Sequence, residues 1–459
     1  MRLKTATLGC KVNQYETQFV REALGRIGYV DAAPREPADL IVVNTCTVTA
    51  ESDQKSRKLI RRLARLNPNA EIVVMGCYAA RAKDEIRQLP QVTEIITDKR
   101  RVNDFLQRRG VTDVPDGITA FGQRHRAYVK VQDGCRVGCA YCIIPKVRPY
   151  LLSRPVVETL DEIKKLVDAG YREIVLTGIH LGHYGLDFER DHTTQIEQKQ
   201  LLAGNIRLSQ LVERILQLDG SFRLRVSSME AVEVSDELID LMRAFPKKLC
   251  PHLHLSMQSG SDEVLRRMRR RWPSKPFLER CEQVKAAVNR VALTTDVIVG
   301  FPGESENEFI ETCDLVERIG FSKVHVFPFS PRQGTEAASM PHQIPAIEKE
   351  RRVAHLMQLA DQLRAEFAAN TIGQSTQVLF ETCQSATPGL HTIGGNNVNT
   401  SNTNDTTTVI GTSDHYLRTR MQVPQTQPEQ LVGRLVDVNI IASNGDELSG
   451  TVNKQVVQE

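Results

Sequence analysis

Within Gly134-Cys135-Arg136-Val137-Gly138-Cys139-Ala140-Tyr141-Cys142, three thiols fall at a C-x-x-x-C-x-x-C spacing, with Tyr141 just before the last. A tight loop can aim three such thiolates at one metal centre. A four-iron cubane held by three cysteines keeps one iron open, and an open position is what a catalytic metal site needs and a structural site lacks. The competing reading is a structural zinc knuckle. That needs a fourth ligand close by, and the next cysteine is Cys250.

Cys10, Cys46 and Cys77 each sit just past a short strand-like run, Leu3 to Leu8, Asp39 to Thr45 and Glu71 to Gly76. Their separations approach one βαβ unit, about 30 residues. In a parallel sheet the strand ends line one edge, about 4.8 Å apart from strand to strand, and ligands bind at that edge. The three thiols can therefore converge on a second three-thiolate cluster with its own open iron; three unrelated buried cysteines are the alternative. Cys250, Cys281, Cys313 and Cys383 stand alone and read as small buried hydrophobes.

The elements that position these loops follow from periodicity. Leu40-Ile41-Val42-Val43 is a continuous apolar run, expected of a parallel strand covered on both faces. Helical and strand patterns alternate through residues 1–112, which predicts a doubly wound, parallel-sheet α/β domain. A linker is expected at Val111 to Phe121, where Pro115-Asp116-Gly117 signals a turn. Residues 121–355 then show six βα-like units, predicting a partial parallel (β/α)6 barrel with its active site at the carboxyl ends of the strands. After a long charged helix, residues 371–441 change to period-2 runs, which predict a small antiparallel β-barrel. His391 to Ser413 is Gly-, Asn-, Thr- and Ser-rich and reads as a disordered insertion, and the polar stretch Asp187 to Gly204 reads as a loop insertion.

Composition bounds the function. The 459 residues are 41% hydrophobic and 25% charged, ordinary globular values. No apolar run approaches the roughly 20 residues of a membrane span, and no signal-peptide pattern opens the chain. Ten cysteines without export signals favour metal or catalytic use in a reducing, cytoplasmic setting over a disulfide framework. A net charge of +3 means that any nucleic-acid surface is local. Two candidates are Lys58, Arg61, Arg62 and Arg65 on one helix face, and the run Arg266 to Trp272; solvated surface is the rival reading of both. His180, His183, His252 and His254 read as solvated or hydrogen-bonded loop histidines rather than ligands.

The central cysteine loop resembles the signature of the radical S-adenosylmethionine (SAM) enzymes. The resemblance implies that SAM chelates the open iron of a 4Fe-4S cluster on Cys135, Cys139 and Cys142, and that an electron from the cluster splits it to methionine and a 5′-deoxyadenosyl radical. It also implies that Thr177 and Gly178 meet the methionine part of SAM, and Gly300 the adenosyl part. Thr7-Leu8-Gly9-Cys10-Lys11-Val12-Asn13-Gln14-Tyr15-Glu16, Asn44-Thr45-Cys46-Thr47-Val48-Thr49 and Met75-Gly76-Cys77-Tyr78-Ala79 resemble the N-terminal domain of the methylthiotransferases. That likeness implies an auxiliary 4Fe-4S cluster on Cys10, Cys46 and Cys77, two 4Fe-4S clusters in all, one SAM donating methyl and another the radical. The tail resembles the RNA-binding TRAM domain, although His415 stands where that domain usually has Asn.

Within that family, Gly9 to Glu16, Gly178 to Gly182, and Met340-Pro341 after Ser330 to Thr335 look most like the branch acting on N-threonylcarbamoyladenosine beside the tRNA anticodon. The resemblance thus implies a tRNA anticodon-loop substrate and a flavodoxin- or ferredoxin-like reductant. Its rivals are action on isopentenyladenosine in tRNA or on a ribosomal-protein aspartate, and a non-catalytic iron–sulfur RNA-binding sensor.

Overall fold

The computed structural model describes residues 1–122, 124–188, 206–385, 406–424 and 428–452. The first sheet is wholly parallel, in the order β2-β1-β3-β4-β5, from β1 (Arg2–Thr7), β2 (Val30–Asp31), β3 (Leu40–Thr45), β4 (Glu71–Gly76) and β5 (Val92–Ile96). All six residues of β3 are buried, as its unbroken apolar run requires. Two core clusters lie on opposite faces of this sheet, one around Leu40 and Val42, the other around Ile41 and Val43. Three helices leave its carboxyl edge: α1 (Lys11–Gly25), α2 (Ala50–Leu66) and α3 (Cys77–Arg81). Helix α2 opens with Thr49 accepting from the Ser52 amide, a hydroxyl N-cap.

The central sheet runs β6 (Arg126–Asp133), β8 (Glu173–Gly178) and β9 (Arg223–Val226), with the two-residue β7 (Leu152–Ser153) antiparallel on its edge. Isolated parallel bridges at Leu224–Leu249 and Met229–Leu255 carry it on to β10 (His252–His254), β11 (Ala292–Val299) and β12 (Lys323–Pro328). Six parallel strands and their crossover helices therefore form the expected partial barrel. One large core cluster fills the space between its strands and helices, and Tyr15 of α1 belongs to it. The expected linker is pinned rather than loose. Ile118 is fully buried, and its amide donates to Glu162 at 3.0 Å.

The tail is a closed five-stranded barrel, β13-β14-β15-β17-β16, built from β13 (Ser375–Ser385), β14 (Thr406–Ser413), β15 (Arg418–Pro424), β16 (Leu435–Asn444) and β17 (Glu447–Thr451). Three features depart from the sequence reading. Residues 406–413, expected in a disordered insertion, are a strand paired on both sides; β-branched Thr and Val suit a strand, and the composition of the neighbouring residues hid them. The rest of that insertion, 391–405, lies outside the described residues, as does nearly all of the 187–204 stretch. Pro428–Leu431 is a helical turn, so β16 starts at Leu435, and the barrel needs β17 beyond residue 441 to close, in a parallel pairing with β15. Cys383, expected to be buried, is exposed on β13, while Cys250, Cys281 and Cys313 are buried.

This barrel seats on the amino ends of the central strands. Glu173, wholly buried, holds Arg223 at 2.6 Å and Arg225 at 3.1 Å. Those guanidiniums donate onward to the carbonyls of Gln377, Thr412, Ser413 and Asp414. Arg126 reaches Glu381 at 2.5 Å. No helix of the described residues is long and apolar enough to cross a membrane.

Candidate metal centres at two strand edges

The central cysteines leave the carboxyl end of β6 through Gly134, whose φ of +76° favours glycine; a Cβ there would overlap the Tyr150 carbonyl oxygen. Gln132 clamps the same turn by donating to the carbonyls of Asp133 and Gly134, both at 2.7 Å. Beyond it, the Ala140 amide donates to Met268, and the Cys142 amide to Cys139. The loop is thus held by a side-chain clamp before its first thiol and by backbone bonds between its last two.

Charged side chains surround those thiols. His180 sits 3.6 Å from Cys135 through Nδ1 and 2.7 Å from Glu233 through Nε2. Burial lowers the proton affinity of His180, but hydrogen bonds to Cys135 and Glu233 outweigh it and lift the pKa to about 9. His183 stacks on it at 3.9 Å; burial, then the His180 charge, depress its pKa to about 4. Arg270 approaches Cys139 at 3.8 Å while held by Glu230 at 3.0 Å. Burial pushes the Cys142 thiol up to about 12.

Cys10 caps the amino end of α1, Cys46 follows β3, and Cys77 opens α3, so all three leave one edge of the first sheet. A Cβ on Gly9 would lie 3.2 Å from the Cys46 sulfur, and Gly76, at φ +105°, has no room for one beside Thr45. Burial raises the thiols of Cys10 and Cys46, and the charge of Cys77 raises both further.

A buried ion cluster joins the two edges from which the trios leave. Arg148 donates to the Cys77 sulfur at 3.3 Å, to Glu16 at 2.8 Å, to Asp133 at 2.7 Å and to the Asn13 amide oxygen at 2.9 Å. Lys130 reaches Glu16 at 3.0 Å and Asp133 at 2.5 Å, and Lys99 reaches Glu16 at 2.5 Å. Asp133 is the last residue of β6, two before Cys135, so a single guanidinium joins the edges that carry both trios. Cys77 also packs on Ile143, the residue after Cys142, and on Val147 one turn further.

Each trio offers three free thiols, the ligand set that an iron–sulfur cubane with one open iron takes. Sulfurs around one tetrahedral zinc stand about 3.8 Å apart, given a Zn–S bond of about 2.3 Å. Among the described residues, the groups of three or more potential ligand atoms within 4.8 Å of one another are Cys135 with His180 and His183, and His254 with Asp296 and His325; neither cysteine trio closes that tightly. Buried thiols raised in this way need a cationic centre to become thiolates.

Thr177 and Gly178 end β8, and Gly300 follows β11, on the same carboxyl rim as the cysteine loop. A Cβ on Gly178 would press on Leu181 and Gln132, and one on Gly300, at φ +71°, on Lys349. The Gly300 amide donates to Glu304 at 2.5 Å, itself held by Arg352.

Sequence reasoning missed Glu16, Lys130, Asp133, Arg148, Glu233 and Arg270. One signal was available: Asn13 and Glu16 lie on the buried face of α1 beside Val12 and Tyr15, and polar groups there need partners. The Arg266 to Trp272 run divides. Arg266 and Arg269 are exposed, whereas Arg270 turns inward to the cysteine loop. Lys58, Arg61, Arg62 and Arg65 are all exposed on α2. His415 is buried on Thr376 and Asp414, and Tyr416 lies under Arg225, so this turn faces the central domain rather than solvent.

Family models match the chain over residues 2–98 (Uncharacterized protein family UPF0004) and residues 129–316 (Radical SAM superfamily). It is 37% identical, over 95% of its length and 92% of the relative's, to the threonylcarbamoyladenosine tRNA methylthiotransferase MtaB of Bacillus subtilis. The protein of the same name from Thermotoga maritima is 36% identical, covering 83% of this chain and 86% of that one. The tRNA-2-methylthio-N(6)-dimethylallyladenosine synthase of Carboxydothermus hydrogenoformans is 32% identical over 82% and 87%. In fold, the chain is similar to the radical SAM methyltransferase TsrM of Kitasatospora setae, with a TM-score of 0.51 at 13% identity over 84% of this chain and 79% of that one.

Proposed function

Because the chain belongs to the radical SAM methylthiotransferases, we propose that it replaces the hydrogen on carbon 2 of N-threonylcarbamoyladenosine, beside a tRNA anticodon, with a methylthio group. The observation that carries this reading is Arg148, which bonds Cys77 of one trio and Asp133 at the strand end that launches the other. When bound, a 4Fe-4S cluster on Cys135, Cys139 and Cys142 supplies the electron that cleaves SAM, and a second on Cys10, Cys46 and Cys77 supplies the sulfur.

The chain's own residues do the positioning. Gly178 and Gly300 let Leu181, Gln132 and Lys349 pack directly on the backbone of the carboxyl rim, which receives SAM next to Thr177. His180, held by Glu233, keeps a positive charge against Cys135. Arg148, Glu16 and Asp133 lock the first domain over the cysteine loop and exclude water between the two edges. The target adenine lies in an unpaired loop, where a base can be splayed out and read. RNA contact falls to the exposed faces of α2 and of the tail barrel. A flavodoxin- or ferredoxin-like protein is the reductant, and the cytoplasm the setting.

The test uses anaerobically reconstituted protein, SAM, dithionite and a threonylcarbamoyladenosine stem-loop. Cys10→Ala is expected to release 5′-deoxyadenosine but install no sulfur. A Cys10→Ala enzyme that still makes 2-methylthio product removes the first trio from the reaction. Product from a dimethylallyladenosine stem-loop, with none from the threonylcarbamoyl one, gives the activity to the sister branch.

A further inference from the structure

The wall of the partial barrel is polar in the amino halves of its last strands. His254 ends β10 beside Thr294 of β11, Thr294 pairs with Lys323 of β12, and Asp296 pairs with His325. The ligand atoms of His254, Asp296 and His325 lie within 4.8 Å of one another. Lys11, one residue after Cys10, is the first residue of α1. Its charge bears on both His252 and His325, whose proton affinity is depressed first by burial and then by neighbouring cations that include Lys11.

Among the described residues, neither Lys11 nor Lys323 has a hydrogen-bond or ion-pair partner, though both are half-buried. His252 is 5% exposed with Nδ1 unpartnered. Partly desolvated cations without counter-charge are costly unless a ligand supplies it. A metal ion is a poor occupant. Both ring nitrogens of His254 are already engaged, Nδ1 with Thr294 at 3.0 Å and Nε2 with Asp296 at 3.2 Å. Lys11 and Lys323 are two unpaired ammoniums beside the single carboxylate of Asp296, while Arg364 of the adjoining groove is taken by Asp446, so the free donors suit a further carboxylate. An apolar prenyl group would strip water from these ammoniums and return no hydrogen bond. Lys323 and His325 also line a groove of about 260 Å³ between β12 and the helix Ala346–Ala369, which gives the cluster a way out to the surface.

We propose that Lys11, Lys323 and His325, backed by the His254–Asp296 pair, bind the carboxylate of the threonylcarbamoyl group on N6 of the target adenine. This rests on the function proposed above and names the residues that select its substrate. Lys11 neighbours Cys10 in sequence, so one turn of chain sets both the tail of the modified base and a ligand of the sulfur-bearing trio.

Anisotropy measurements on cluster-loaded protein decide it, with two synthetic anticodon stem-loops that differ only in carrying the free threonyl carboxylate or its methyl ester. The native protein is expected to bind the acid at least ~10-fold more tightly, about 1.4 kcal/mol. Lys11→Met and Lys323→Met should each shrink that ratio toward one, and Lys11→Arg should restore most of it. Equal affinity of the native protein for acid and ester overturns the pocket without any variant having to fold. Variants that keep the native ratio overturn it too. Turnover of the threonylcarbamoyl substrate with no acid preference removes the pocket alone. Turnover of only the dimethylallyl substrate removes the function and the pocket together.

Discussion

Arg148 is 4% exposed and meets two carboxylates, an amide oxygen and a thiol. Burial alone would raise Glu16, but Arg148, Lys130 and Lys99 hold it well below the usual carboxylate range. Removing one partner of a buried pair typically costs about 3–5 kcal/mol, because the other charge stays buried and unpaired. Arg148→Met is therefore expected to lose stability on that scale in urea denaturation, and Arg148→Met with Glu16→Gln to recover part of it. A single variant as stable as the native protein would mean that the cluster holds nothing together.

At the scale of elements, what matters is how each strand hands its thiol to the edge. Gly134 and Gly76 both take left-handed φ values and both lack space for a Cβ. A non-glycine residue in such a conformation costs roughly 1–2 kcal/mol before any clash. Gly134→Ala is expected to lose about half of the iron bound after reconstitution, that of the central loop, and Gly76→Ala the other half. Equal, full iron contents in both variants would show that neither turn places its cysteine. The same scale explains the hidden strand β14. The notion of a disordered insertion came from composition, whereas pairing with β13 and β15 decides the backbone of residues 406–413.

For the whole molecule, the tail barrel closes one end of the central barrel and the first domain closes the other, each through buried charge. Burial would raise Glu173, but Arg225, Arg223 and Arg126 hold it far below the carboxylate norm, and His415 and Thr376 help hold Asp414 down against burial. Depressed carboxylates stabilise the folded form fully above their unfolded values, near 4.5 and 3.8, and lose that stabilisation as pH falls through the folded ones. Hydrogen-exchange protection of β14, corrected for intrinsic rate, should therefore hold from about pH 7 to about 5 and fall below about 4. Glu173→Gln should show the weakened docking already at neutral pH. Protection unchanged in acid would assign the docking to apolar contact instead. At the opposite end, Arg332 reaches Thr47 and Asp53 of the first domain and ties the last loop of the barrel to the start of α2.

The sequence by itself determined the order of layers, the six thiols at strand ends and the family. Those follow from local periodicity and short spacings, such as the apolar run of β3 and the loop after β6. Only the tertiary structure decided which charges meet. Glu16 and Arg148 lie far apart along the chain, Asp53 and Arg332 farther still, and no local pattern distinguishes such residues from solvated ones. Burial makes each pairing obligatory, yet burial belongs to the packed molecule. Lys11 makes the same point. Its neighbours in sequence mark a cysteine motif, while its charge bears on the histidines of the barrel wall.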